Sequence, residues 1–322
     1  MDDLIRGALV ADAASLGMHW IYDVDRAREV GGARPEFLEP DLAHYRGGAG
    51  YFAHKGKRAG DLSHYGEQCR IAAESLGATG GAHDPQDHER RFVASFGPGG
   101  RWVGYIDYAT RETLRNADDA ERGALRAAHD FDLGPFESHR PHVESAVMAN
   151  ARKWSGAQLD QALEKATRIR GEEDADLIAR VQAMGRAVVD ARAGFHGSDD
   201  VQLPALTGLP AAVAHGADVE SVVRVTNDND EAVAWAHKIA ALLRGEVEPA
   251  AIAGEGGIAC PLDQSVPLIG RILAEADSYE SGVRANILAG GDNCGRGIVV
   301  GAWLARKYPI PQAWLERVAG VS

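Results

Sequence analysis

Helical periodicity recurs from one end of the chain to the other while strand alternation is almost absent, and this pattern limits the folds available to it. Leu4, Ile5, Ala8, Leu9, Ala13 and Leu16 fall on one helical face, with Gly17 placed just past the end where a helix commonly stops. The same spacing predicts helices over 63–77 and over 84–97, the latter with Asp84 as cap and Pro85 at the first helical position. Further helices are expected at about 104–116, 118–129, 139–153, 156–169, 172–193, 210–225, 228–245, 262–276, 279–288, 294–306 and 311–319, separated by short Gly/Pro/Asp turns. There is no βαβ alternation, no fixed-period repeat and no evident linker. The expectation is therefore an all-α fold, a single multi-helix domain spanning 1–322.

Composition narrows the possible partners. With 322 residues and 45% hydrophobic content, the chain can bury a substantial core. Its formal net charge of -13 repels nucleic acid and anionic membrane, so neither is expected as a partner. Cys69, Cys260 and Cys294 lie far apart without CxxC spacing, which fits a reducing compartment rather than a disulfide framework or zinc ribbon. The opening "MDDLIRGALVADAASLG" starts with acids and lacks a basic leader region, and no apolar run reaches membrane-spanning length. A cytoplasmic location is expected.

Three polar features sit where packed helices would prefer none. Asp12 shares a face with Ile5, Ala8, Leu9 and Leu16, so its carboxylate enters the interior, either to cap another helix or to support a site. Ser63, His64, Tyr65, Glu67 and Gln68 offer acid, base and hydrogen-bond donors within about one and a half turns, in a pattern that also suits a solvated first turn. They follow the long irregular stretch 45–68, which mixes glycines with Tyr45, Tyr51, Phe52 and Lys57 and is either functional or a surface loop. The third feature is "AGGDNCGRG", a glycine-rich turn opening a helix. Such a turn gathers unpaired N–H groups and positive dipole potential suited to an anion or thiolate, or is simply capped by Asp292 or Asn293.

These three features together resemble the ADP-ribosylglycohydrolase family. "GALVADAASLGM" (7–18) looks like the family's opening Gly-x-x-x-Gly-Asp-Ala helix, with Asp12 at the aspartate. "LSHYGEQCRIAAESL" (62–76) is similar to its Tyr-Thr-Asp-Asp-Thr-Gln segment and the following helix. The stretch from Val219 to Gly245 resembles the segment containing Thr-His, and 289–318 resembles the ending Gly-Gly-Asp-Thr-Asp-Thr with its Ile-Pro-x-x-Trp tail. The resemblance implies hydrolysis of the N- or O-glycosidic bond of ADP-ribose, with two magnesium ions held by oxygen ligands.

The departures bear on that chemistry. Where the family has Thr-Asp-Asp-Thr this chain has Ser63, His64, Tyr65 and Gly66. Asp292 survives, but the second terminal aspartate is Cys294 and the last threonine Gly295, and Asn227 replaces the middle histidine. Hard cations require oxygen ligands, so no paired magnesium centre and no metal cofactor is expected; Cys294, His64 and Asp292 as zinc ligands lack chelating spacing. The site expected instead is catalytic: Cys294 as nucleophile or acid, His64 as general base, Asp292 orienting, Tyr65 and Glu67 as auxiliary acids. Asp12, Ser63, Asn227, Asn293 and Arg296 are expected to contact a small polar substrate, nucleotide- or sugar-like. A non-catalytic member and a magnesium enzyme with substitute ligands are the alternatives.

Overall fold

In the computed structural model, which describes residues 1–169, 174–192 and 195–321, helices begin where the sequence supplies a cap. In chain order they are α1 (Asp3–Ser15), α2 (Val24–Gly31), α3 (His64–Ala78), α4 (Pro85–Phe96), α5 (Tyr108–His129), α6 (Arg140–Ala151), α7 (Gly156–Ile169) and α8 (Ala175–Arg192). There follow α9 (Leu209–His215), α10 (Val219–Arg224), α11 (Asp230–Arg244), α12 (Leu262–Glu275), α13 (Tyr279–Leu288), α14 (Asn293–Lys307) and α15 (Gln312–Leu315). Asp2, Ser63, Asp84, Asn229 and Asp292 each accept a backbone N–H in the first turn of the helix they precede. Among the described residues β pairing is limited to isolated bridges, and no helix is long and apolar enough to cross a membrane.

The expected pattern differs in several places: α2 has no counterpart among the expected helices, and the helix expected at 311–319 spans only Gln312–Leu315. The helices expected at 104–116 and 118–129 are one continuous α5, because "RNADDAERG" contains no proline and its acids are compatible with a helix interior. The helix expected at 210–225 is two: Gly216 adopts φ +66°, closing α9, and Asp218 caps α10 through Ser221 N–H. Of the helix expected at 172–193, positions 172, 173 and 193 lie outside the described residues.

Two compact units can be described, Met1–Leu114 with Gly197–Ser322, and Arg115–His196. The second unit packs α6, α7 and α8 around Val143, Val147, Leu159, Leu163, Val181, Met184 and Val188. In the first, α1 lies against α14 as the most extensive helix pair, with α3, α9 and α13 around them. Its core includes Leu9, Leu16, Ile239, Leu243, Ile269, Val283, Ile287, Ile298 and Val300. Both central helices are buried on nearly every face, α1 from Leu4 to Ser15 apart from Arg6 and α14 from Asn293 to Leu304.

Small residues let these two backbones approach. A Cβ on Gly7 would lie 2.3 Å from the Gly301 carbonyl oxygen, and one on Gly301 would lie 2.2 Å from that of Gly7. Because the obstacle is backbone, a side chain there must push the helices apart. Gly301→Ala is expected to lower the unfolding free energy by about 2–3 kcal/mol. Gly77→Ala, at a position in α3 with open space around it, is expected to be neutral or to stabilise by about 0.5–1 kcal/mol. Urea unfolding of the two variants checks the pair.

Candidate functional site

The site forms where α14 begins. Gly290 and Gly291 take φ +78° and +61°, and a Cβ on Gly291 would meet the Ile258 carbonyl at 2.1 Å, so this turn admits glycine for reasons of both backbone and space. The segment after α1 is stapled to it: Trp20 N–H donates to the Gly291 carbonyl at 2.8 Å and Gly291 N–H to that of Ile21 at 2.7 Å. A second segment joins through Tyr22 N–H to Ala49 O and Tyr51 N–H to Trp20 O. Trp20 itself sits at φ +65°, a strained position for a large side chain, fixed by these bonds.

Asp292 is fully buried at the centre. Its Oδ2 accepts the Tyr65 hydroxyl at 2.8 Å, and its Oδ1 lies 2.9 Å from His19 Nε2. Burial opposes its ionisation, but the His19 and Tyr65 contacts outweigh that and hold its carboxyl at about 2. Since the carboxylate is acceptor-only, His19 Nε2 carries the proton. Burial pushes His19 below the usual imidazole range, so the ring is neutral and its Nδ1 accepts from His54 Nε2 at 2.6 Å. His54 is likewise buried and driven well below that range, which leaves its Nδ1 a bare acceptor without a partner.

His64 lies beside this chain, its ring 4.0 Å from Tyr65 and 6.0 Å from His19. It is fully buried, and neither ring nitrogen makes a hydrogen bond. Its Nε2 is 3.2 Å from Asp107 Oδ2, close enough for an ion pair but out of hydrogen-bond alignment. Asp107 Oδ1 accepts Thr110 N–H at the start of α5; burial opposes ionisation of Asp107, but His64 and Thr110 keep it below the ordinary carboxylate range. Above these groups opens a cleft of about 410 Å³ lined by Trp20, Tyr22, Tyr51, Tyr105 and Arg111. Trp20, Tyr51 and Tyr105 meet pairwise with ring centres 5.0–6.0 Å apart, and His64 lies 6.1 Å from Trp20 and 5.9 Å from Tyr105.

Several residues singled out in the sequence have other work here. Cys294 is fully buried, its sulfur contacts the Asp12 carbonyl at 3.6 Å, and burial together with Asp12 and Asp292 pushes the thiol well above its ordinary value. That corrects the expected thiolate nucleophile, because desolvation outweighs the helix terminus. Glu67 is held away from the cleft by Arg70, Arg101 and Ser95. Asp12 binds the Ser63 N–H at 2.8 Å and the Ser63 hydroxyl, so these two hold the start of α3 rather than face the cleft. Arg296 is buried and clamps the glycine turn through the carbonyls of Ile258 and Gly290 and through Asn286; burial lowers it to about 10. Asn293 donates to the Met18 carbonyl. Asn227 is fully buried, donates to the Asp200 carbonyl at 2.8 Å and leaves Oδ1 unpaired.

Sequence reasoning passed over His19, Trp20, His54, Tyr105, Asp107 and Arg111. "MHWIYD" directly after the first helix was a usable signal, since a histidine between aromatic and apolar residues at a helix exit needs a buried partner. The donor set does not fit a magnesium pair. Imidazole, phenol and thiol stand where the resemblance implies oxygen ligands, both Asp292 oxygens are engaged, and Ser63 is bound to Asp12. Among the described residues, no three His, Cys, Asp or Glu side chains are disposed to hold a metal ion.

Two measurements follow from this electrostatic arrangement. With iodoacetamide, Cys260, the half-exposed thiol pushed up to about 12, is expected to react first and faster at alkaline pH, with Cys69 and Cys294 protected until unfolding. Mass mapping of the adducts decides it. Burial raises Asp12 to about 6 against an ordinary 3.8, so the native state takes up its proton first. The cost of the buried charge is present above pH 6 and relieved as pH falls toward 4, a gain of about 3 kcal/mol at most. Asp292 has the opposite sign, its contribution being complete above pH 4 and lost toward pH 2. Urea unfolding between pH 4 and 7 is expected to lose the Asp12 slope in Asp12→Asn.

The comparisons with known proteins agree with this fold. Crystallin J1A of Tripedalia cystophora is 25% identical over 330 residues, covering 98% of this chain and 90% of the crystallin. A solved structure described as an ADP-ribosylglycohydrolase-related protein complex matches with a TM-score of 0.50 and 16% identity over 99% of this chain and 93% of that one, a likeness of fold. The ADP-ribosylglycohydrolase model matches residues 3–322, and the chain belongs to that family.

Proposed function

We propose that the protein is a metal-independent hydrolase that cleaves a glycosidic or other C–N bond in a small polar substrate. The observation that carries this reading is His64: a fully buried imidazole with both nitrogens unbonded, beside the Asp107 carboxylate, under an aromatic cleft. A buried polar ring normally finds partners, and one left without them at a cleft floor is suited to exchange protons with a bound molecule. Family membership supports hydrolysis as the reaction class, and the small-molecule character of the substrate agrees with the size of the cleft.

In this reading water enters beside His64. The imidazole takes a proton as the water oxygen forms a bond to the glycosidic carbon, and the C–N bond breaks with its electron pair leaving on nitrogen. The imidazolium then returns the proton to that nitrogen, so His64 ends as it began. Asp107 orients the ring and stabilises its cationic form. Asp292, kept anionic by His19 and Tyr65, supplies a fixed negative field to positive charge developing on the sugar carbon. Cys294 has no part in these steps.

Crystallin J1A favours a second reading, in which the fold serves as a binding or structural body without turnover. Turnover assays across N-glycosylated and ADP-ribosylated small molecules, with and without EDTA, separate the readings. Turnover that survives EDTA is expected; turnover abolished by EDTA and restored by magnesium returns the family's metal chemistry, and none across the panel favours the second reading. His64→Ala is expected to lower kcat by about 100-fold or more with little change in Tm. Asp107→Asn is expected to lower it about 10-fold or more and to move the pH–rate profile. Wild-type rates in both variants would remove the imidazole from the mechanism.

A further inference from the structure

His64 is sealed from solvent, yet a reaction that uses its imidazole requires water and substrate to arrive at its nitrogens. Some part of the wall above it must therefore move. The two sides of that wall are fastened differently. Trp20 and Tyr51 stand on a stapled side: Tyr51 N–H donates to the Trp20 carbonyl at 3.1 Å, Tyr22 N–H to that of Ala49 at 2.8 Å, and Trp20 N–H to that of Gly291 at 2.8 Å. Tyr105 stands on the other side, in the connection 97–107 between α4 and α5. Among the described residues, none of the N–H groups of Val103, Gly104, Tyr105 and Ile106 finds a backbone acceptor.

Both ends of that stretch are pinned. Upstream, Trp102 N–H donates to the Ser95 carbonyl at 3.0 Å, Arg101 reaches Glu67 at 2.7 Å and Glu74 at 2.9 Å, and the Lys57 ammonium lies 3.6 Å over the Trp102 ring. Downstream, Asp107 Oδ1 accepts Thr110 N–H at 2.7 Å, which ties the carboxylate beside His64 to α5. Between these anchors the segment is held by side chains. Trp102 Nε1 donates to the Tyr105 carbonyl at 3.2 Å and Arg111 Nη1 to that of Ile106 at 2.7 Å. The Tyr105 ring meets Trp20, Tyr51 and His64 edge-on, with centres 5.0, 5.8 and 5.9 Å away. Gly104 sits in the middle at φ +150°, a conformation open to glycine and rare for other residues, and Val103 beside it is 79% exposed. An aromatic plug on a short segment without backbone pairing can open locally while the rest of the fold stays intact.

Resting on the hydrolase reading above, and adding its access step, we infer that Val103–Ile106 is a gate over His64. With Tyr105 inserted it is closed; turning about Gly104, it lifts the Tyr105 ring and admits water and substrate. Because Asp107 stays with α5, the His64–Asp107 pair is kept in both states. Closure over a substrate returns Tyr105 to the ring wall and shields the imidazole from bulk water.

Carbethoxylation of the protein by diethylpyrocarbonate at neutral pH, with the adducts mapped by mass, tests this without needing turnover. Three histidines set the scale: the His129 side chain is 77% exposed, His88 is buried in α4, and His64 lies under the gate. In the wild type His64 is expected to react more slowly than His129 and at least about tenfold faster than His88. Tyr105→Ala is expected to raise the His64 rate about tenfold or more with His88 unchanged, and Tyr105→Phe, which keeps the ring, to stay within about twofold of wild type. Should Tyr105→Ala loosen the fold and raise His88 as well, the wild-type ratio of the two rates decides. A wild-type His64 rate no greater than that of His88 would overturn the gate by making access a matter of wider unfolding, and a His64 rate indifferent to Tyr105→Ala would overturn it by placing the entrance elsewhere. These outcomes separate from those of the hydrolase reading: gated labelling of His64 without turnover of any N-glycoside leaves this inference standing and removes that one, whereas EDTA-resistant turnover with His64 labelling indifferent to Tyr105 does the reverse.

Discussion

The buried Asp292 carboxylate ties the site together. It caps α14 through Gly295 N–H, accepts the Tyr65 hydroxyl from α3, and orders His19 from the segment leaving α1. Three elements distant in sequence are thereby brought to one pair of oxygens. An isolated carboxylate at this depth would take up a proton, and the hydrogen bonds are what keep it charged. Its charge in turn fixes the tautomer of His19, and the neutral His19 fixes that of His54. One ionisation state therefore determines the hydrogen-bond direction of the whole chain, and the cleft above inherits a floor of defined polarity.

The helical architecture was legible because period and caps are local properties. Leu4 to Leu16 announce α1, and Asp84 with Pro85 announces α4, before any tertiary contact is known. The errors were local too. Gly216 and Asp218 stood in the sequence as stop and start signals within what read as one apolar run, and the lack of a breaker near Ala117 should have joined the two halves of α5. The two-unit division was not legible, since no composition shift marks Arg115 or His196.

The candidate site was legible only in part, and the thiol shows why. A helix N-terminus favours negative charge by up to about 2 kcal/mol, whereas full burial of an ionisable group shifts it by up to 3–5 pKa units. Sequence reveals the first effect through the Gly-Gly-Asp turn but not the second, because the burial of Cys294 depends on α1 lying across the start of α14. The resemblance aligned the segments that carry His64, Tyr65 and Asp292, and in the structure the Tyr65 ring lies 4.0 Å from His64 while its hydroxyl donates to Asp292. His19, His54 and Asp107 carry no motif. Each is a lone polar residue whose meaning appears only when another element supplies its partner.

The replaced ligand positions are consistent with an exchange of one charge-balancing scheme for another. A metal pair requires several oxygens and neutralises them with its own charge. Here His64, Tyr65 and Cys294 remove the surplus of carboxylate from those positions, and the remaining Asp292 is satisfied by an imidazole and a phenol. Asp107 stands beside His64, its Oδ2 3.2 Å from Nε2. In relatives built as the resemblance implies, a metal neutralises the carboxylates at this place; in this chain the one carboxylate kept there, Asp292, holds its charge through hydrogen bonds from His19 and Tyr65.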